Sequence, residues 1–144
     1  MRIKLVVTAA LRKEIPKDRL LSQGIPVHTI EALRSGALTR KENEAGILTV
    51  ITGAGLEASE RSACWIRDNL KPLFVLNIGT CGLLQREHPV GSWIRPQFAA
   101  DEEGNKLELD QRLPIPFEDE VVTVDTLLSV QKASIGSIPV IWQG

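Results

Sequence analysis

Residues 47–84 read ILTVITGAGLEASERSACWIRDNLKPLFVLNIGTCGLL, and this stretch decides the fold class. Ile47–Thr52 is an apolar, β-branched run of strand length, broken by Gly53-Ala54-Gly55. Leu56–Leu70 then carries Leu56, Ser59, Ala63, Ile66 and Leu70 at steps of three and four, which predicts a helix with one small-and-apolar face against a sheet. Glu57, Glu60, Arg61 and Asp68 are left for solvent. Pro72 stops the helix, and Leu73–Ile78 is a second apolar run ending at Gly79-Thr80-Cys81-Gly82. Strand, helix and parallel strand form a right-handed βαβ unit. Its two glycine turns fall at the carboxyl ends of the strands, where open α/β sheets bind ligands.

Working outward, Ile3–Val7 predicts a buried first strand that leads through Thr8-Ala9-Ala10 to the charged Arg12-Lys13-Glu14. Pro16 interrupts a long helix, leaving room for a short one over Lys17–Gln23 with Gly24 as its stop. Ile25–Ile30 reads as a short strand that Pro26 confines to an edge or to a strand start. Glu31–Asn43 is polar and reads as a turn or loop. Beyond the core unit, Val90-Gly91-Ser92-Trp93-Ile94 reads as a turn followed by a strand that runs on towards Phe98, then come the charged turn Asp101–Lys106 and a half-exposed strand at Leu107-Glu108-Leu109. Arg112–Phe117 is proline-punctuated and irregular, Val121–Val124 is a strand, and Leu127–Lys132 starts a helix. Ile138–Trp142 is a last apolar run whose edge needs cover.

At 144 residues, 43% hydrophobic and 24% charged, the chain fits one domain, 1–144, with a real core. A formal net charge of −1 gives no electrostatic case for nucleic acid or an anionic membrane as partner. No apolar run approaches the ~18 residues of a spanning helix, and no signal-peptide pattern opens the chain, so the cytoplasm is the expected compartment. Cys64 reads as a buried small hydrophobe in mid-helix, and Cys81 lies in the second glycine turn without a His or Lys beside it in sequence. His28 and His88 are isolated and read as loop or surface residues. No metal site or cofactor is expected.

Gly53-Ala54-Gly55-Leu56-Glu57-Ala58 matches the dinucleotide fingerprint G-x-G-x-x-A, in which backbone N–H groups meet a pyrophosphate at a helix N-terminus. The acid that should follow at the end of the next strand is missing, because Asn77-Ile78-Gly79 stands there. A Rossmann-like nucleotide-binding module therefore remains only as an alternative.

More residues fit another pattern. Thr52-Gly53-Ala54-Gly55, then Asn77-Ile78-Gly79-Thr80-Cys81-Gly82-Leu83, then Pro89-Val90-Gly91-Ser92-Trp93-Ile94 resemble, in order and spacing, the SGIGKVNAA, KPDxVINTGSAGGL and LKVGDIV stretches of the methylthioadenosine/S-adenosylhomocysteine nucleosidases. These belong to the nucleoside phosphorylase/nucleosidase superfamily. The opening, Met1-Arg2-Ile3 to Glu14-Ile15, resembles that family's MKIGIIGAMEEEV with one residue inserted. The resemblance covers most of residues 1–100. It implies a three-layer α/β/α fold with a mixed, mostly parallel central sheet, a homo-oligomer, and cleavage of a nucleoside N-glycosidic bond by water or phosphate. By resemblance Glu14 acts on the attacking water and Thr80 helps to hold it, while Gly53, Gly55, Gly79, Cys81 and Gly82 line the ribose and base pocket. Such cleavage passes through an oxocarbenium-like state and needs a carboxylate and a positioned nucleophile. With no arginine assigned to phosphate, since Arg61 and Arg86 read as surface charges, hydrolysis is the expected variant.

The family's Met-Glu pair and its later aspartate have no counterpart here. Ile141-Trp142-Gln143-Gly144 stand where that strand should arrive, so the chain matches about the N-terminal two-thirds of such a domain. Cys81 and Leu83 also depart from the usual Ala and Gly. Two functional readings thus stand beside the nucleotide module: a nucleosidase or phosphorylase completed by further residues, and a non-catalytic member that binds a nucleoside or anion.

Overall fold

The structure, a computed structural model, describes residues 3–16, 24–81, 89, 91–112 and 121–128. The chain is α/β and divides into two compact units, Met1–Gly79 and Thr80–Gly144.

The first unit holds four strands, β1 (Leu5–Ala9), β2 (Val27–Thr29), β3 (Ile47–Ile51) and β4 (Phe74–Ile78), in one all-parallel sheet of order β2-β3-β1-β4. Three helices connect them: α1 (Ile30–Arg34), α2 (Arg40–Ala45) and α3 (Leu56–Asn69). Steps from β2 to β3 and from β3 to β4 run the same way across the sheet. Right-handed crossovers, the rule in ~98% of such connections, therefore put α1 and α3 on the same face. One cluster shows this: Val6, Leu48 and Val50 from the sheet pack with Ile30 and Leu33 of α1 and with Ile66 and Leu70 at the end of α3. The step from β1 to β2 runs the other way, so the segment leaving β1 departs towards the opposite face. Ile15 in that segment is buried but lies outside the helix-side cluster.

Two expectations about α3 are corrected. Its buried positions are Ser62 and Ile66, continued by Leu70, while Leu56, Ser59 and Ala63 are exposed. The stripe thus follows steps of four, and Trp65 joins it from the side. Cys64, one step round the helix, is exposed rather than buried. The polar segment Glu31–Asn43 is also not a loop. Thr29 caps α1 by accepting from Ala32 N–H, and Thr39 and Glu42 close a capping box on α2, which Gly46 ends in the left-handed conformation. The Gly46 carbonyl then accepts from Lys4 and Leu5 N–H and anchors the start of β1.

The second unit holds β5 (Trp93–Ala100), β6 (Lys106–Glu108) and β7 (Val121–Leu128), in the order β6-β5-β7. β6 is antiparallel and β7 parallel to β5. The Asp101 carboxylate shapes the β5–β6 turn by accepting from Glu103 N–H and Asn105 N–H, each at 2.9 Å. β7 runs on through Leu127 and Leu128, where a helix start was expected. The predicted elements at Lys17–Gln23 and Ile138–Trp142, and residues Gly82, Leu83, Arg86 and His88, lie outside the described residues. No helix among the described residues is long and apolar enough to cross a membrane.

Candidate functional site

In the first unit, β1 and β3 are neighbours whose outgoing connections leave for opposite faces. This is the switch point at which the carboxyl ends of a parallel sheet open a crevice. The two chains stay paired just beyond their strands: Thr52 N–H donates to the Ala9 carbonyl at 2.9 Å and Gly53 N–H to the Ala10 carbonyl at 3.1 Å. The turn that follows needs glycine for conformational reasons. Gly53 has φ 87°, and Gly55 combines φ 102° with ψ 161°, a region L-residues avoid. Space is not the constraint, because a Cβ on Gly53 would lie 3.5 Å from the Ala58 Cβ and one on Gly55 would meet nothing within 4 Å. Gly55 caps α3 without any side-chain bond, so the helix presents its positive end at the sheet's carboxyl edge.

Glu14 ends the 3₁₀ turn Arg12–Glu14 that follows β1. It is half-buried, and its carboxylate accepts from Leu11 N–H at 3.0 Å. Gly79 is exposed just beyond β4. The unit boundary falls after Gly79, so Glu14, Gly53, Gly55 and Gly79 belong to the first unit and Thr80 and Cys81 to the second. Thr80 is exposed and Cys81 half-buried, with burial pushing its thiol up and so away from the reactive thiolate.

Sequence reading missed the polar groups behind the turn. Thr8 and Asn77 occupy paired positions on β1 and β4, and the Thr8 hydroxyl donates to Asn77 Oδ1 at 2.6 Å. Asn77 Nδ2 is buried with no partner among the described residues, which is uncommon for an amide. Ser62, 1% exposed, donates its hydroxyl to the Thr52 carbonyl at 3.4 Å. The available signal was a serine four residues before Ile66 on the stripe that ends at Leu70. His28 is corrected too: it sits on β2, half-buried, with Nε2 3.1 and 3.2 Å from the two carboxylate oxygens of Glu42. Among the described residues no group of three His, Cys, Asp or Glu is placed to hold a metal.

The dinucleotide arrangement fits poorly for a topological reason. Its ribose-binding acid stands on the strand next to the glycine turn, whereas here β1 lies between β3 and β4. The chain matches no protein-family model, and comparison with curated proteins and with solved structures returns no match.

Proposed function

We propose that the carboxyl edge of the first unit's sheet binds a nucleoside, and that the protein cleaves its N-glycosidic bond with water as the nucleophile. The observation that carries this reading is the switch point between β1 and β3. It sets Gly53 and Gly55, both at positive φ, beside the segment that leads to Glu14. In the reaction Glu14 takes a proton from water as that water attacks the anomeric carbon, and the bond to the base breaks as the ribose gains oxocarbenium character, the base leaving with the bonding electron pair and taking its proton from solvent. The glycine backbone lets the sugar approach closely. The same reading extends the α/β architecture to the three-layer, phosphorylase-like fold and a homo-oligomer.

One observation favours a second reading, a protein that binds a nucleoside or anion without cleaving it. The Glu14 carboxylate already serves its own turn by accepting from Leu11 N–H. Incubating the 144-residue chain with methylthioadenosine, adenosine and inosine, with and without phosphate, separates the two by release of free base. Hydrolysis predicts release that does not need phosphate. Glu14→Gln, which keeps an acceptor for Leu11 N–H, should abolish release with little change in Tm. Unchanged turnover in that variant would remove Glu14 from the mechanism.

A further inference from the structure

We propose that Ser62 is a positioning residue for the Gly53–Gly55 turn, holding it through the Thr52 carbonyl. Ser62 occupies the stripe that packs α3 on the sheet, where the next positions are Ile66 and Leu70. A hydroxyl in such a place loses hydration and must be bonded elsewhere. Serine within a helix commonly bonds the carbonyl one turn back. Here the hydroxyl leaves the helix for Thr52, the residue immediately before the turn. Thr52 is gripped on its other side by its N–H on Ala9 and its hydroxyl on the Gly53 carbonyl at 3.0 Å. The entry to the turn is thus held both by β1 and by the helix that the turn opens.

The helix-side face of the sheet supports the same reading. Towards the amino end it offers Val6 and Leu48 to the cluster; towards the carboxyl end the apolar Val50 of β3 stands level with Thr8 and Asn77, which bring polar groups to β1 and β4.

The inference rests on the turn being a ligand site, so its first measurement uses no ligand. Amide hydrogen exchange of the full chain should show Thr52, Gly53 and Ser59, whose N–H groups are bonded to the Ala9, Ala10 and Gly55 carbonyls, exchanging about tenfold faster in Ser62→Ala, with Ile66–Leu70 unchanged. Tm should stay within ~2 °C, because alanine's higher helix propensity offsets a long hydrogen bond. Ser59→Ala, at an exposed position of the same helix, should leave both segments as they are. Equal acceleration in both segments of Ser62→Ala, or acceleration in neither, overturns the proposal. A second arm follows base release from methylthioadenosine, where Ser62→Ala should lower kcat/KM at unchanged Tm. If the wild-type chain releases no base while the exchange pattern holds, the nucleoside reading falls and Ser62 keeps its positioning role.

Discussion

The two units differ in how their described side chains are satisfied. Every described residue that is buried lies between Ile3 and Ile78, in the first unit. The second unit also has a long-range pairing, the parallel β5–β7 ladder, but none of its described residues is buried, and its described side-chain contacts lie at the surface: the Asp101 turn, Lys106 with Nζ 4.2 Å from the Phe98 ring centre, and the Asp110–Arg112 ion pair. A parallel sheet cannot hold itself by neighbouring residues, because each strand returns only after a crossover, so its stability must come from apolar burial of distant segments. The β5–β6 hairpin forms from contacts close in sequence. The difference teaches that long-range burial holds the first unit together, and that the candidate turn is mounted on that burial.

The largest effect that could break this comparison is in the core. Leu48→Ala removes a fully buried side chain and should cost about 2–5 kcal/mol, whereas Leu107→Ala, at 65% exposure on β6, should stay within about 0.5 kcal/mol. Single-tryptophan chains report the units separately, Trp65 on the first unit's cluster and Trp93 on β5. With the other two tryptophans changed to Phe, the Trp93 transition in urea should come first. Leu48→Ala should move the Trp65 midpoint far more than the Trp93 midpoint. Equal shifts would mean that the units unfold as one.

Next in size is the turn itself. Gly55→Ala forces an L-residue to φ 102°, at about 1–3 kcal/mol, and all of it is backbone strain because nothing lies within 4 Å of the new Cβ. Thr39→Ala, which removes the cap of α2, should cost about 1 kcal/mol. Thermal melts order the two.

Much of the first unit was legible in the sequence, for reasons particular residues make plain. Ile47–Thr52 and Leu73–Ile78 are apolar on both faces, as strands of a covered parallel sheet must be, and both lie within a residue of their observed bounds. That β1 separates them was not legible, because strand order is set by the packing of three crossovers and no local pattern encodes it. The stripe on α3 was misread because Leu56 outranks Ser62 on any hydrophobicity scale, yet Leu56 stands at the first position of the helix, beyond the sheet's edge, at 63% exposure. Helices α1 and α2 were missed because they bury only Ile30 and Leu33 between them. Their signal was in the caps, Thr39-x-x-Glu42 above all. For the candidate site, the glycines were legible because their conformation leaves a mark on residue type. The polar groups behind them were not, since Thr8, Asn77 and Ser62 take their meaning from partners distant in sequence.

The smallest effect tests the same comparison through acid. Glu42 ionises below the usual carboxylate range, first because Thr39 N–H donates to it, with His28 adding a smaller contribution against the cost of burial. A folded value below the unfolded one gives stability that is full above the unfolded value of ~4.3 and is lost as pH falls through the lower, folded value. Asp110 is held further down, at about 2, chiefly by its hydrogen bond from Arg112. Yet that pair is two residues apart and exposed, so the unfolded chain can form it as well. The larger shift should therefore matter less. Between about pH 5 and pH 3, across the carboxylate range, the urea midpoint of the Trp65 transition should fall in the wild type and fall less in Glu42→Gln. Asp110→Asn should leave both midpoints where they were. If Asp110→Asn proves the more destabilising, the second unit is held by its ion pair, and the division between a unit with buried side chains and one whose described side-chain contacts lie at the surface no longer describes where the stability resides.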